Sequence, residues 1–214
     1  MNEDKIKIKA IKISLLGDSS VGKTAICYSF LNIEFGEGAI LTVGIDKLDS
    51  NFTLKNNQKI KLIIWDTAGQ ERFQSLALRT LKTSHGVILV FDVSNRNSFI
   101  NINKWLEKID EQFNNPCIVL FGNKVDLDKS KWQVTEEEIK QLVTAKKIAY
   151  FETSAKTRIN IDEGFSYIAN EAYDKIAGKI SENITIKTDE SQENKKKNCV
   201  CSGSGRKKSG DIDK

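Results

Sequence analysis

The stretch ISLLGDSSVGKT, residues 13–24, decides how the chain folds. An apolar run ends at Leu16, and a polar loop follows, bracketed by Gly17 and Gly22. The spacing is G-x-x-x-x-G-K-T. Glycine lets the backbone turn where a side chain would collide, so successive N–H groups can wrap one anion. A helix opening directly behind such a loop adds the positive end of its dipole. Lys23 is then placed to reach β- and γ-phosphates, and the Thr24 hydroxyl to bind Mg²⁺. Loops of this kind also serve ATPases and nucleotide kinases, so this one alone does not choose the nucleotide.

Working outward, strand and helix patterns alternate. Residues 6–16 alternate apolar and Lys, then turn fully apolar, as a strand entering a core does. A helix is expected over residues 22–32. Strands follow at 45–54 and 59–65, joined by a turn at Asn56, Asn57 and Gln58. GVILVFDV at 86–93 and CIVLF at 117–121 read as buried strands. Between them Ser98 is expected to cap a helix over 99–113, which stops before Pro116. Thr135, with Glu138 three residues on, predicts a capping box and a helix to Lys146. A short strand at 149–152 and a helix at 161–176 complete an α/β, doubly wound P-loop NTPase fold. Its sheet should have six mostly parallel strands with helices on both faces. There are no internal repeats. Residues 1–178 are expected to form the folded domain. Residues 179–214, rich in Ser, Asn, Lys and Glu, are expected to be a disordered basic tail.

Composition narrows the class. Of the 214 residues 39% are hydrophobic and 29% charged, which suits a globular core with a solvated surface. No apolar run approaches the roughly 18–20 residues of a membrane span. The start, MNEDKIKIKA, lacks the apolar core of a signal peptide, so a cytoplasmic protein is expected. Beyond Gly178 there are nine Lys or Arg against six Asp or Glu, so most of the chain's net charge of +4 sits in the tail. A nearly neutral body argues against nucleic-acid binding. A basic tail suits an anionic membrane surface. Cys27 and Cys117 lie in apolar stretches and read as small buried thiols.

Three further motifs fall at strand ends. WDTAGQE at 65–71 puts Asp66 where a carboxylate can hold Mg²⁺ through water. Gly69 can turn its N–H to a γ-phosphate, and Gln70 can orient an attacking water. GNKVD at 122–126 offers the Asp126 carboxylate to the N1–H and exocyclic amine of guanine, a donor pair that adenine lacks. SAK at 154–156 can meet the guanine carbonyl oxygen with its backbone.

Taken together, GDSSVGKT, TVGID, WDTAGQERF, GNKVDL and ETSAK resemble the motifs of the Ras superfamily of small GTPases, most closely the Rab family. The resemblance covers residues 9–176. It implies a guanine-nucleotide site of Gly17, Asp18, Ser19, Ser20, Val21, Gly22, Lys23, Thr24, Ala25, Phe35, Thr42, Gly69, Asn123, Lys124, Asp126, Ser154, Ala155 and Lys156. Phe35 matches the aromatic on the guanine edge, and Asn123 and Lys124 match residues that brace the base and the P-loop. Mg²⁺ would be held by Thr24, Thr42 and Asp66, with Thr42 matching the switch threonine. Gln70 and Lys23 would carry hydrolysis. The two switches match residues 36–45 and 67–81. No arginine lies between Lys23 and Gln70, so intrinsic hydrolysis is expected to be slow and to need an activating protein. An exchange factor and effectors are the other implied partners, acting on a monomer.

The chain departs from the Rab pattern in three places. Lys47 stands where Phe is usual, and Thr80 and Leu81 stand where two tyrosines are usual. Those aromatics normally join the tryptophan matched by Trp65 in a surface cluster read by effectors. The third departure is the tail. Cys199 and Cys201 form the C-x-C that Rab proteins prenylate, yet residues 202–214 follow. Two lipid chains there would anchor the protein reversibly to the cytosolic face of an intracellular membrane. An unmodified or only palmitoylated tail is the alternative. The leading expectation is a Rab-type trafficking switch. A soluble Ras-like switch, a GTP-binding scaffold with little turnover and a nucleotide kinase are the rivals.

Overall fold

A computed structural model of the protein describes residues 8–33, 45–67, 81–112 and 116–200. The chain divides into two compact units, Met1–Lys175 and Ile176–Lys214. The first is built on strands β1 (Ala10–Leu16), β2 (Ile45–Thr53), β3 (Lys59–Thr67), β4 (Gly86–Asp92), β5 (Cys117–Asn123) and β6 (Ala149–Thr153). Their order in one sheet is β2-β3-β1-β4-β5-β6. Among the described strands only the β2–β3 pair is antiparallel. The helices are α1 (Lys23–Leu31), α2 (Arg96–Ile100), α3 (Ile102–Gln112), α4 (Glu136–Lys146) and α5 (Ile161–Val200).

Burial explains the strand assignments. Every residue of β4 is buried, as a central parallel strand covered on both faces requires. Val87, Leu89 and Phe91 join Trp105, Leu106 and Ile109 of α3 in one cluster. On the other face, the place of a Cβ on Gly86 is filled by Ile168 of α5. Phe121 meets Phe165 of α5 edge to face, and Phe165 stacks on Phe30 of α1 at 4.0 Å between centroids. Helices therefore pack on both faces. The hairpin turn closes where Asn57 takes a positive φ of 62° and Gln58 N–H bonds the Asn56 side chain at 3.0 Å.

Several boundaries differ from expectation. β1 starts at Ala10, with Ile8 and Lys9 outside it. Asn95, not Ser98, caps the helix: its side chain accepts from the N–H groups of Asn97 and Ser98. Ser98 is buried instead, and its Oγ accepts from Asp92 N–H at 3.0 Å. The single expected helix is two, α2 and α3, broken at Asn101. Residues 179–200, expected without regular structure, are helical. No Pro or Gly lies between Gly178 and Val200 to stop a helix. Cys27 is buried as expected, while Cys117 is only half-buried.

Candidate nucleotide-binding site

The site lies in the loops that leave the C-terminal ends of the parallel strands, where open α/β sheets bind ligands. Residues 17–22 connect β1 to α1. Gly17 has a φ of 144°, and a Cβ there would stand 2.1 Å from the Val90 carbonyl oxygen. Gly22 has a φ of 99°, and its Cβ would stand 2.3 Å from Asn123 Nδ2. Both positions need the absent side chain, one against backbone and one against an amide. Gly22 is also the N-cap of α1. It supplies no side-chain cap, and the first turn holds no acid. The helix thus presents an end with no side-chain cap and its positive potential, which suits an anion.

Lys23 folds back over this loop. It is 5% exposed, and its ammonium donates to the carbonyls of Gly17 at 2.9 Å and Asp18 at 2.7 Å. Burial pulls its pKa from 10.5 to about 8, against the opposing pull of the Asp66 and Asp18 carboxylates. Asp18 itself is held from outside the loop: Trp105 Nε1 donates to it at 3.0 Å and Asn101 Nδ2 at 2.7 Å. Thr24 Oγ1 donates to Asp66 Oδ2 at 2.6 Å, joining α1 to the end of β3. Asp66 is buried, and Thr67 Oγ1 pins the same strand end to the Leu15 carbonyl at 2.6 Å.

The other end of the site is built on β5 and β6. Asn123 Nδ2 donates to the Val21 carbonyl at 2.9 Å, and its Oδ1 accepts from Ala155 N–H at 3.2 Å. One side chain therefore ties the P-loop to the loop after β6. Lys124, in a left-handed conformation, forms an ion pair with buried Asp92 at 2.6 Å. Asp126 accepts from Ser154 Oγ at 2.6 Å, and Ser154 Oγ accepts from Thr157 N–H at 3.1 Å. Ser154 is buried and Lys156 exposed. The structure so brings together Gly17, Asp18, Val21, Gly22, Lys23, Thr24, Asp66, Asn123, Asp126, Ser154 and Ala155. Ser19, Ser20 and Ala25 lie in the same loop and helix. Phe35, Thr42, Gly69 and Gln70 lie outside the described residues, as does Cys201. Cys199 falls in the last turn of α5.

The altered surface needs one correction. Lys47 is exposed and sits opposite Trp65 in the β2–β3 register, so those two are neighbours. Leu81, where the family's surface cluster has a tyrosine, is fully buried with Leu16, Val87 and Leu89. An aliphatic residue at that place fills core rather than exposing a new face. Thr80 lies outside the described residues. Asn101, Trp105 and Asp92 went unnoticed in the sequence. Trp105 sits on the apolar stripe Ile102, Trp105, Leu106 and Ile109 of α3, where spacing reads as core and nothing marks its N–H.

A sequence model described as the Ras family matches residues 12–174. The chain is 41% identical over 180 residues to "Ras-related protein Rab-10" of Diplobatis ommata, covering 83% of this chain and 89% of that one. It is 37% identical over 194 residues to "Ras-related protein Rab-13" of Rattus norvegicus, covering 89% and 95%. It is 37% identical over 201 residues to "Ras-related protein RAB1BV" of Beta vulgaris, covering 91% and 93%. The strand-end loops, their order and these matches agree: the chain belongs to the Ras family, as a Rab-like GTP-binding switch.

Proposed function

We propose that this GTPase holds its nucleotide with the named strand-end residues and reads out the γ-phosphate through the segments around Thr42 and Gln70. The observation that carries the reading is the pair of hydrogen bonds that ties Asn123 to Val21 and to Ala155, which draws a phosphate loop and a base loop together. The backbone of residues 17–22, the open end of α1 and the Lys23 ammonium bind the phosphates. Asp126, oriented by Ser154, accepts the two guanine donors. Ser154, Ala155 and Lys156 offer backbone to the base, and Phe35 covers its edge.

Members of this family bind Mg²⁺, which supplies charge neutralisation at the phosphates. The residues fit it: Thr24 Oγ1 and Asp66 Oδ2 form an all-oxygen donor pair, the set a hard cation takes. Thr42 would add a third oxygen. Gln70 orients water, and Lys23 stabilises charge on the transferring group. With no arginine between Lys23 and Gln70, turnover by the isolated protein is slow and an activating protein accelerates it. Exchange factors and effectors act through the switches. Among the described residues no helix is long and apolar enough to cross a membrane. Association with the cytosolic face of a trafficking membrane would be made by lipid on Cys199 and Cys201, aided by the basic tail.

Equilibrium binding of fluorescent GTP and ATP tests the site. Tight GTP binding with weak ATP binding is expected, and Asp126→Ala should lower GTP affinity by about a hundredfold or more. A protein that binds ATP as well as GTP overturns the assignment.

A further inference from the structure

One guanidinium joins the turn after the SAK segment to the far end of α1. Arg158 lies in the turn after the SAK segment and takes a left-handed φ of 64°. That turn is closed by Ser154 N–H on the Ile159 carbonyl at 3.2 Å. The side chain reaches back to the far end of α1. It donates to the carbonyls of Ser29 at 2.7 Å and Phe30 at 3.3 Å, and to the Asn32 side chain. Its remaining donors form a bidentate pair with Asp162 in the first turn of α5, both at 2.8 Å. These contacts use the whole planar fork, which lysine cannot reproduce. They also place a cation at the C-terminal end of α1, where the helix dipole favours one.

We infer that Arg158 is a positioning residue for nucleotide retention, holding the base loop and the phosphate-loop helix in register. The inference rests on the proposed nucleotide site. α1 is nine residues long, running from Lys23 at the phosphate end to Leu31 beside Arg158. At the phosphate end Asn123 joins P-loop to base loop. At the other end Arg158 joins α1 to the same base loop. The two ties join the same pair of elements at both ends of α1, so opening one frees the base loop to move away from α1. Asn32 is the left-handed C-cap of α1, so the same clamp holds the end of that helix. The strained φ at a non-glycine residue is maintained because the side chain is anchored at three places.

The test is release of fluorescent GDP from the full chain, with single-turnover GTP hydrolysis measured in parallel. Arg158→Ala should speed GDP release about tenfold, and Arg158→Lys should recover only part of this. Asp162→Asn, which leaves the arginine in place, should give a smaller acceleration. The hydrolysis rate of bound GTP should change less than twofold in each. Lys129→Ala, which removes the exposed Lys129–Glu136 pair, is the control and should release GDP as the parent does. Unchanged release in Arg158→Ala, or equal acceleration in the control, overturns the inference and leaves the arginine a surface contact. Failure of the parent protein to bind guanine nucleotide would instead overturn the proposed site.

Discussion

Helices α1 and α4 begin in opposite ways. α4 opens with a full capping box: Thr135 Oγ1 accepts from Glu138 N–H, and the Glu138 carboxylate accepts from Thr135 N–H at 3.0 Å. Three glutamates fill its first turn. α1 opens on Gly22, with no side-chain cap and no acid. α4 satisfies its own end and complements its own dipole, so it needs nothing from outside, whereas α1 does neither. The end of α1 offers positive potential to a ligand and is surrounded by polar braces. A helix end without a local cap, held rigid by Asn123, Asp66 and Asp18, is what a phosphate-binding terminus requires.

The largest break in that comparison should come from Gly22→Ala. The added carbon would strain a positive φ and displace Asn123, costing about 3 kcal/mol, or roughly a hundredfold in nucleotide affinity. Nucleotide titration checks it, and near-parental affinity would mean that the close approach to Asn123 is not needed. Trp105→Phe comes next. It keeps the ring in the core but removes the donor to Asp18, and should lower stability by about 2 kcal/mol in denaturant unfolding. Thr135→Ala should cost about 1 kcal/mol by loss of a cap, with nucleotide affinity unchanged. A change in affinity there would show that the two helix ends are coupled.

The smallest effect concerns pH. Arg96, with the Thr135 backbone and hydroxyl, holds the Glu138 pKa down from 4.5 to about 2. A depressed folded-state pKa stabilises above the unfolded value and is lost as pH falls through the folded one. The contribution of Glu138 is therefore present above pH 4.5 and fades toward pH 2. Melting curves of Glu138→Gln should converge on those of the parent protein across that window. A difference that persists unchanged at pH 2 would contradict the assignment.

Residues that act within one turn or strand end were legible. The Thr135–Glu138 box could be read because both halves lie in one helical turn. The P-loop could be read because Gly17 and Gly22 mark backbone that no other residue adopts freely. Ser98 was read as the cap, three residues too late in the chain. The choice fell to Asn95 because β4 and its loop bury Ser98 against Asp92, a contact that spacing does not reveal. Leu81 stands where the resemblance has a surface tyrosine, and it is buried by packing against Leu16 and Val87.

The sequence by itself determined the order of strands and helices, the two strained glycines and the identity of the strand-end loops. Each follows from local sterics, hydrogen bonding or period. Only the tertiary structure decided which groups meet across them. Asp18 finds Asn101 and Trp105 at separations of 83 and 87 residues, and Arg158 finds Ser29 at 129. Those meetings depend on parallel register, β1 beside β4 and β5 beside β6. Register is set by the packing of both sheet faces at once, and no short stretch of chain encodes it.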